Sequence, residues 1–223
     1  MPPMPLKYAL IGCGRIAPNH LQAAVRSGLQ VTALCDPVEQ NIAKLLKGQS
    51  PLPAAPRQYT DYHEMLEKER PQLVAIATES GRHAAIALDC ISAGCHVIIE
   101  KPIALSLADA DAILDRAKQR GVLVCACHQN RFNKSVQRMR QAVEQGRFGR
   151  LLYGTAHIRW NRGPDYYRQA PWRGTWAQDG GALMNQCIHN IDLLRWMLGD
   201  EVTQVIGLTD RLCHPEIEAE DFG

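Results

Sequence analysis

The chain has 223 residues, long enough for one large domain or for one domain and part of another. Hydrophobic residues make up 46% and charged residues 22%, values ordinary for a globular chain with a buried core. A net charge of +2, from 25 basic and 23 acidic residues, leaves no electrostatic footprint for nucleic acid.

The opening MPPMPLKYAL lacks the charged-then-apolar order of a signal peptide, and no apolar run approaches membrane length. A cytoplasmic protein with no membrane or nucleic-acid partner is expected. From residue 6 to about 127, short apolar runs alternate with amphipathic helices, which predicts an α/β fold built on a parallel sheet. Strands are expected at residues 8–11, 31–35, 73–77, 96–100 and 122–126, with a weaker one near Gln58. Helix ends are marked as well. Ser106 with Asp109 resembles a capping box, Gly121 closes that helix, and Gly94 follows the helix that begins near His83. SPLPAAP (50–56) reads as a loop between strands. Eight cysteines are scattered through apolar strands and helices without a CxxC pair, as small hydrophobes in a reducing compartment.

The texture changes after Arg150. LLYGTAHIRW predicts a longer strand, WNRGPDYYRQAPWRGTW an aromatic and arginine-rich loop, and GGALMNQCIHNIDLLRWMLG a helix over about 182–198. VTQVIGLTDRL then predicts a further strand. The basic stretch from Arg131 to Arg150 spaces Lys134, Arg138, Arg140 and Arg147 as a solvated helix face does. The expected organisation is a dinucleotide-binding domain over 1–127 and the start of an α+β open-sheet domain over 128–223. Two strands hide a sheet face poorly, so this second domain reads as unfinished.

Two constellations carry chemistry. Gly12-Cys13-Gly14-Arg15-Ile16-Ala17 is a GxGxxA run that follows a strand and opens a helix. Its first glycine permits a tight turn, its second lets backbone approach a pyrophosphate, and Ala17 permits close strand–helix packing. Asp36 ends the second strand, where a carboxylate bonds ribose hydroxyls and repels a 2′-phosphate; Pro37, Val38 and Glu39 follow, with no arginine. NAD is therefore expected over NADP. Lys101, in Glu100-Lys101-Pro102 after the strand HVIIE, stands where open α/β sheets do their chemistry. On the late helix, Leu183, Cys187, Ile191, Leu194 and Leu198 form an apolar stripe. Asn185, His189, Asp192 and Trp196 form a second face, on which Asp192 is placed to orient the His189 imidazole.

In order along the chain, GCGRIA, ATESGRHA, GCHVIIEKPIA, HQNRF, GRFGRL and GGALMNQCIHNIDLLRW resemble the glucose-fructose oxidoreductase/inositol dehydrogenase (Gfo/Idh/MocA) family. Within it, WNRGPDYY, WRGTW, MNQCIHNIDLL and EIEAEDFG look most like the UDP-N-acetyl-2-amino-2-deoxyglucuronate dehydrogenases, which oxidise a sugar C3 hydroxyl on the way to bacterial surface polysaccharides. The resemblance implies that Lys101 and His189 work at the reacting carbon. It puts Gly12, Gly14, Arg15, Ile16, Asp36, Thr78, Glu79, His83, Glu100, Lys101 and Asn130 around the cofactor, with Trp172 and Arg173 added from the second domain. Lys101, Arg162, Tyr167, Asn185 and His189 are the implied substrate contacts, and no metal is implied. Three positions depart from the family pattern: Asn185 stands where aspartate is common, Glu79 where proline is usual, and Cys187 where glycine is common. Asn185 removes a second carboxylate, which argues against a relay like that of the inositol enzymes. The family also continues beyond residue 223 and forms homo-oligomers, dimers or tetramers, through its open sheet.

The expected reaction is reversible hydride transfer between NAD and a secondary alcohol of a sugar, nucleotide-linked. One of Lys101 and His189 takes the hydroxyl proton and the other polarises the same oxygen; the sequence leaves open which. Two alternatives stand beside it: a dehydrogenase of a free sugar, polyol or dihydrodiol, and a non-catalytic NAD-binding sensor or partner subunit.

Overall fold

The computed structural model describes residues 5–48, 52–199 and 201–223. Ser50 and Pro51 of the expected SPLPAAP loop lie outside the described residues; Leu52 to Pro56 carry neither helix nor strand. The chain divides into two compact units, Met1–Cys127 and His128–Gly223.

The first unit holds six parallel strands, β1 (Lys7–Ile11), β2 (Gln30–Cys35), β3 (Arg57–Tyr59), β4 (Leu73–Ile76), β5 (His96–Ile99) and β6 (Val124–Ala126). Their order across the sheet is β3-β2-β1-β4-β5-β6, so the direction of winding reverses between β1 and β4. Five helices cross between them: α1 (Ala17–Arg26), α2 (Glu39–Lys47), α3 (Tyr62–Glu69), α4 (His83–Ser92) and α5 (Leu107–Arg120). Side chains alternate across each strand, so β1 feeds two cores. Ala9 and Ile11 pack with Ile86, Ile91 and Ile113 on one face, and Tyr8 and Leu10 pack with Leu21, Ile42 and Leu45 on the other. Each such fully buried aliphatic side chain contributes about 1.5–3 kcal/mol. Ser106 Oγ accepts from the Asp109 amide at 3.1 Å to start α5, and Gly121 at φ +65° ends it.

The second unit is helical among the described residues: α6 (Lys134–Glu144), α7 (Pro164–Arg168) and α8 (Ile188–Leu198), with a π-helical turn, Leu183–Cys187, leading into α8. The strands expected from LLYGTAHIRW and VTQVIGLTDRL are not formed. A strand exists through its ladder, and the described segments give these two only one isolated bridge, Asp210 to Phe222. The stripes expected on the late helix also fall differently. Ile191 of the apolar stripe is 51% exposed, while Asn185 and His189 of the other face are 9% and 8% exposed.

Candidate active site

The glycine turn leaves β1 at Ile11. Gly12 donates its amide to the Cys35 carbonyl at 2.9 Å and holds φ +90°. A Cβ there would meet the Ala77 backbone at 2.6 Å, so both conformation and space demand glycine. Gly14 is different: a Cβ on it would meet nothing within 4 Å, which is the open approach a pyrophosphate needs. Arg15 beside it is exposed and Ile16 half-buried. No side chain caps α1 and no acidic residue lies in its first turn, so its positive end is left for an anion. These residues fit a dinucleotide.

Asp36, at the end of β2, is 6% exposed. Its Oδ2 accepts from the Cys13 amide at 2.8 Å, and its Oδ1 from the Val38 amide at 2.9 Å and the Asn41 side-chain amide at 3.0 Å. The carboxylate thus ties the glycine turn to the β2 exit. Each carboxylate oxygen carries two lone pairs, so Oδ2 retains one acceptor position beside the Cys13 amide. Asn41 is a positioning partner that the sequence reading missed, because nothing in DPVEQN marks one amide over its neighbours.

Beyond β4, the Thr78 hydroxyl donates to the Glu79 carbonyl at 3.3 Å, and Glu79 lies 3.8 Å from Arg82. His83, expected around the cofactor, is held inside the fold. It is 1% exposed, with Nδ1 2.7 Å from the Pro102 carbonyl and Nε2 3.1 Å from that of Thr78. Burial holds its pKa below the ordinary value, against the pull of the two carbonyls. The ring ties the β4 exit to the loop that follows Lys101.

Glu100 and Lys101 follow the end of β5 directly, at the same carboxyl edge of the sheet as the glycine turn. His20 Nε2 and Glu100 Oε1 are 2.9 Å apart, and Glu100 Oε2 accepts the Lys101 amide at 3.3 Å. Burial pushes the Glu100 carboxyl up, but the His20 hydrogen bond and charge, with the amide and charge of Lys101, carry it below the ordinary value. The Lys101–Pro102 peptide is cis. His20, one turn into α1, is a further residue the sequence reading missed.

In the second unit, Asp192 is held by Arg131, whose Nε and Nη2 donate to its two oxygens at 2.7 and 2.5 Å; His128 Nδ1 is 3.6 Å away. The carboxylate expected to orient His189 thus also anchors the short helix Gln129–Phe132, which carries Asn130. Asn185, in the π turn, donates to Asp179, a buried residue that also accepts the Gly174 amide at 2.8 Å. The carboxylate that Asn185 lacks is thus supplied beside it from the loop before the helix. The fold recruits Asp179 across six residues, a spacing no helical pattern marks.

A cavity of about 410 Å³ in this unit is lined by Arg159, Arg162, Tyr167, Asp179, Asn185 and His214, among others. It gathers three of the expected substrate residues, Arg162, Tyr167 and Asn185, but not His189. Burial, with the charges of Tyr166 and Asp221, pushes the Tyr167 hydroxyl up to about 12, so it stays a neutral hydrogen-bonding group. Arg162 stacks between Trp160 and Tyr166 at 4.5 and 4.7 Å from their ring centres, and Arg173 lies 4.1 Å from Tyr166 and 4.6 Å from Trp172. Planar guanidinium groups held this way keep a fixed orientation while their edges remain donors.

Two family models cover most of the chain: an oxidoreductase family with an NAD-binding Rossmann fold over residues 6–128, and a GFO/IDH/MocA C-terminal domain over 136–223. A WlbA dehydrogenase from Bordetella pertussis, solved with NADH and UDP-GlcNAcA, is similar at 35% identity and a TM-score of 0.90, over 97% of this chain and 66% of that one. Myo-inositol 2-dehydrogenase of Thermotoga maritima is 26% identical over 95% of the chain and 60% of its own length. D-apiose dehydrogenase of Paraburkholderia graminis is 30% identical over 96% and 55% respectively. The chain thus spans just over half to about two thirds of these relatives' lengths. Among the described residues no helix is long and apolar enough to cross a membrane.

Proposed function

The chain belongs to the Gfo/Idh/MocA oxidoreductase family, with its NAD-binding Rossmann fold, and from that premise we propose that it serves an NAD-dependent dehydrogenase of a UDP-linked sugar acid. One observation carries the chemistry: Lys101 lies at the carboxyl edge of the same parallel sheet, beside the winding reversal, as the open glycine turn at Gly14. Ligands of open α/β sheets bind at that edge.

When bound, NAD supplies the acceptor for the hydride leaving the alcohol carbon. Gly14 and the uncapped start of α1 hold the diphosphate, and Asp36 takes a ribose hydroxyl while refusing a 2′-phosphate. Thr78, Glu79 and Glu100 belong to the same proposed cofactor set, as do Asn130, Trp172 and Arg173, which lie in the second unit. Lys101 and His189 share the proton work: one removes the hydroxyl proton as the C–H bond is cleaved, the other stabilises the charge on that oxygen. The nucleotide-sugar assignment is supported by the similarity to the UDP-GlcNAcA-bound WlbA enzyme and by the Arg159 and Arg162 lining of the cavity, suited to a carboxylate or diphosphate. At about 410 Å³ that cavity has the size of a small-ligand site. A free-sugar or polyol dehydrogenase is the second reading, favoured by the inositol and apiose relatives and by Asp179, which restores a carboxylate beside Asn185. A cytoplasmic enzyme that pairs with copies of itself completes the proposal; Val205, Ile206 and Leu208 are apolar side chains exposed in its second unit.

The deciding experiment follows NADH absorbance with UDP-GlcNAcA, myo-inositol and D-apiose in parallel. Turnover with the nucleotide sugar alone is the expected outcome. Turnover with a free sugar alone transfers the assignment to the second reading, and a chain that binds NAD but turns over none of them joins the non-catalytic class.

A further inference from the structure

His20, Glu100 and Cys127 converge from three elements of the first unit. His20 is on α1, Glu100 follows β5 and Cys127 follows β6, where its amide donates to the Ile99 carbonyl at 2.8 Å. The ring nitrogen, carboxylate oxygen and sulfur all lie within 4.8 Å of one another, the one such group of three among the described residues. The His20 and Glu100 side chains are only 11% and 13% exposed, and Cys127 is half-buried. Nothing in the proposed hydride transfer calls for a histidine and a thiol at this place.

We propose that His20, Glu100 and Cys127 form a binding site for a zinc-class divalent cation. One imidazole nitrogen, one carboxylate oxygen and one sulfur are the donors that borderline-soft cations select, and three protein ligands leave a fourth position for water. Zinc bonds of about 2.0–2.3 Å put neighbouring ligand atoms about 3.3–3.6 Å apart. The His20–Glu100 contact of 2.9 Å would open slightly and the sulfur would close in, movements that side-chain torsions supply while the strand ladders stay in place. The carboxylate and thiolate together neutralise a dication, which offsets the opposing charge of the nearby Lys101 ammonium. In the metal-free chain the thiol is protonated, pushed up to about 12 by burial and then by the Glu100 charge. Binding forms the sulfur–metal bond, breaks the S–H bond and releases that proton to the buffer, with no change of oxidation state.

The test uses the full chain carrying Cys125→Ser and Cys213→Ser, which removes the two exposed thiols. Cadmium titration under a non-thiol reductant is expected to give a saturable ultraviolet thiolate-to-metal band that zinc suppresses. Adding Cys127→Ser abolishes the band, and His20→Gln weakens cadmium binding by at least about tenfold, the least that losing even an outer partner costs. Zinc should also raise the melting temperature of the parent chain and not that of Glu100→Gln, a readout that stands even if Cys127→Ser folds poorly. No saturable band, a band that survives Cys127→Ser, or an unchanged affinity in His20→Gln would overturn the site.

Discussion

Replacing Asp36 with asparagine separates two jobs of one carboxylate. Its charge is expected to exclude a 2′-phosphate, and its oxygens hold the Cys13, Val38 and Asn41 donors. Like charges about 4 Å apart repel by roughly 4 kcal/mol at an effective dielectric of 20. At 1.4 kcal/mol per decade that is on the order of 10³ in affinity, before salt reduces it. The parent chain is therefore expected to bind NAD at least about tenfold more tightly than NADP. Asp36→Asn removes the repulsion but must aim an amide donor at one of the amides the carboxylate accepts. That leaves a buried donor unpaired, at a cost of about 1–3 kcal/mol, which lowers Tm by several degrees in a chain of this size. The assay is a fluorescence titration of both cofactors beside a thermal melt. A narrowed NAD/NADP ratio with a lower Tm supports the reasoning; an unchanged ratio refutes the electrostatic account of selectivity, whatever the melt shows.

Lys101→Ala and His189→Ala should each lower kcat by roughly 10²–10⁴, the usual worth of a positioned proton-transfer group. His189→Ala should keep its NAD affinity, and near-parental turnover would remove it from the mechanism. Gly12→Ala forces a Cβ to 2.6 Å from the Ala77 backbone at a positive φ and should fail to fold or melt far lower, whereas Gly14→Ala should keep its Tm and lose NAD binding; the opposite ranking by melt and titration would invert the assigned roles. Glu100 has a folded pKa below its ordinary 4.5, so its pairing stabilises the fold above that pH and the contribution fades as pH falls through the folded value. Glu100→Gln should flatten that acid limb in denaturant melts at graded pH, and an identical limb in both proteins would show that the His20 contact adds no linked stability.

The parallel sheet was legible in the sequence because its signals are local. Buried strands read as apolar runs, Gly12 and Gly121 mark backbone that other residues resist, and the Ser106–Asp109 cap needs three residues of context. Local signals also placed Gly14 and Lys101 at strand ends, and the parallel direction of the strands then put those ends on one edge. What the sequence could not carry is which partner holds each side chain. Asp192 belongs to Arg131, sixty-one residues away, and His20 meets Glu100 across eighty. Asp179 stands in for the carboxylate missing at Asn185, and His83 lies between two carbonyls. Helical periodicity over 182–198 assumes a uniform turn; the π turn at Leu183–Cys187 breaks it between Asn185 and His189, while the regular helix that follows keeps His189, Asp192 and Trp196 on one face. The strands expected after Arg150 failed for a related reason. An apolar, β-prone run becomes a strand only when another segment offers it a ladder, and that is decided by the tertiary structure.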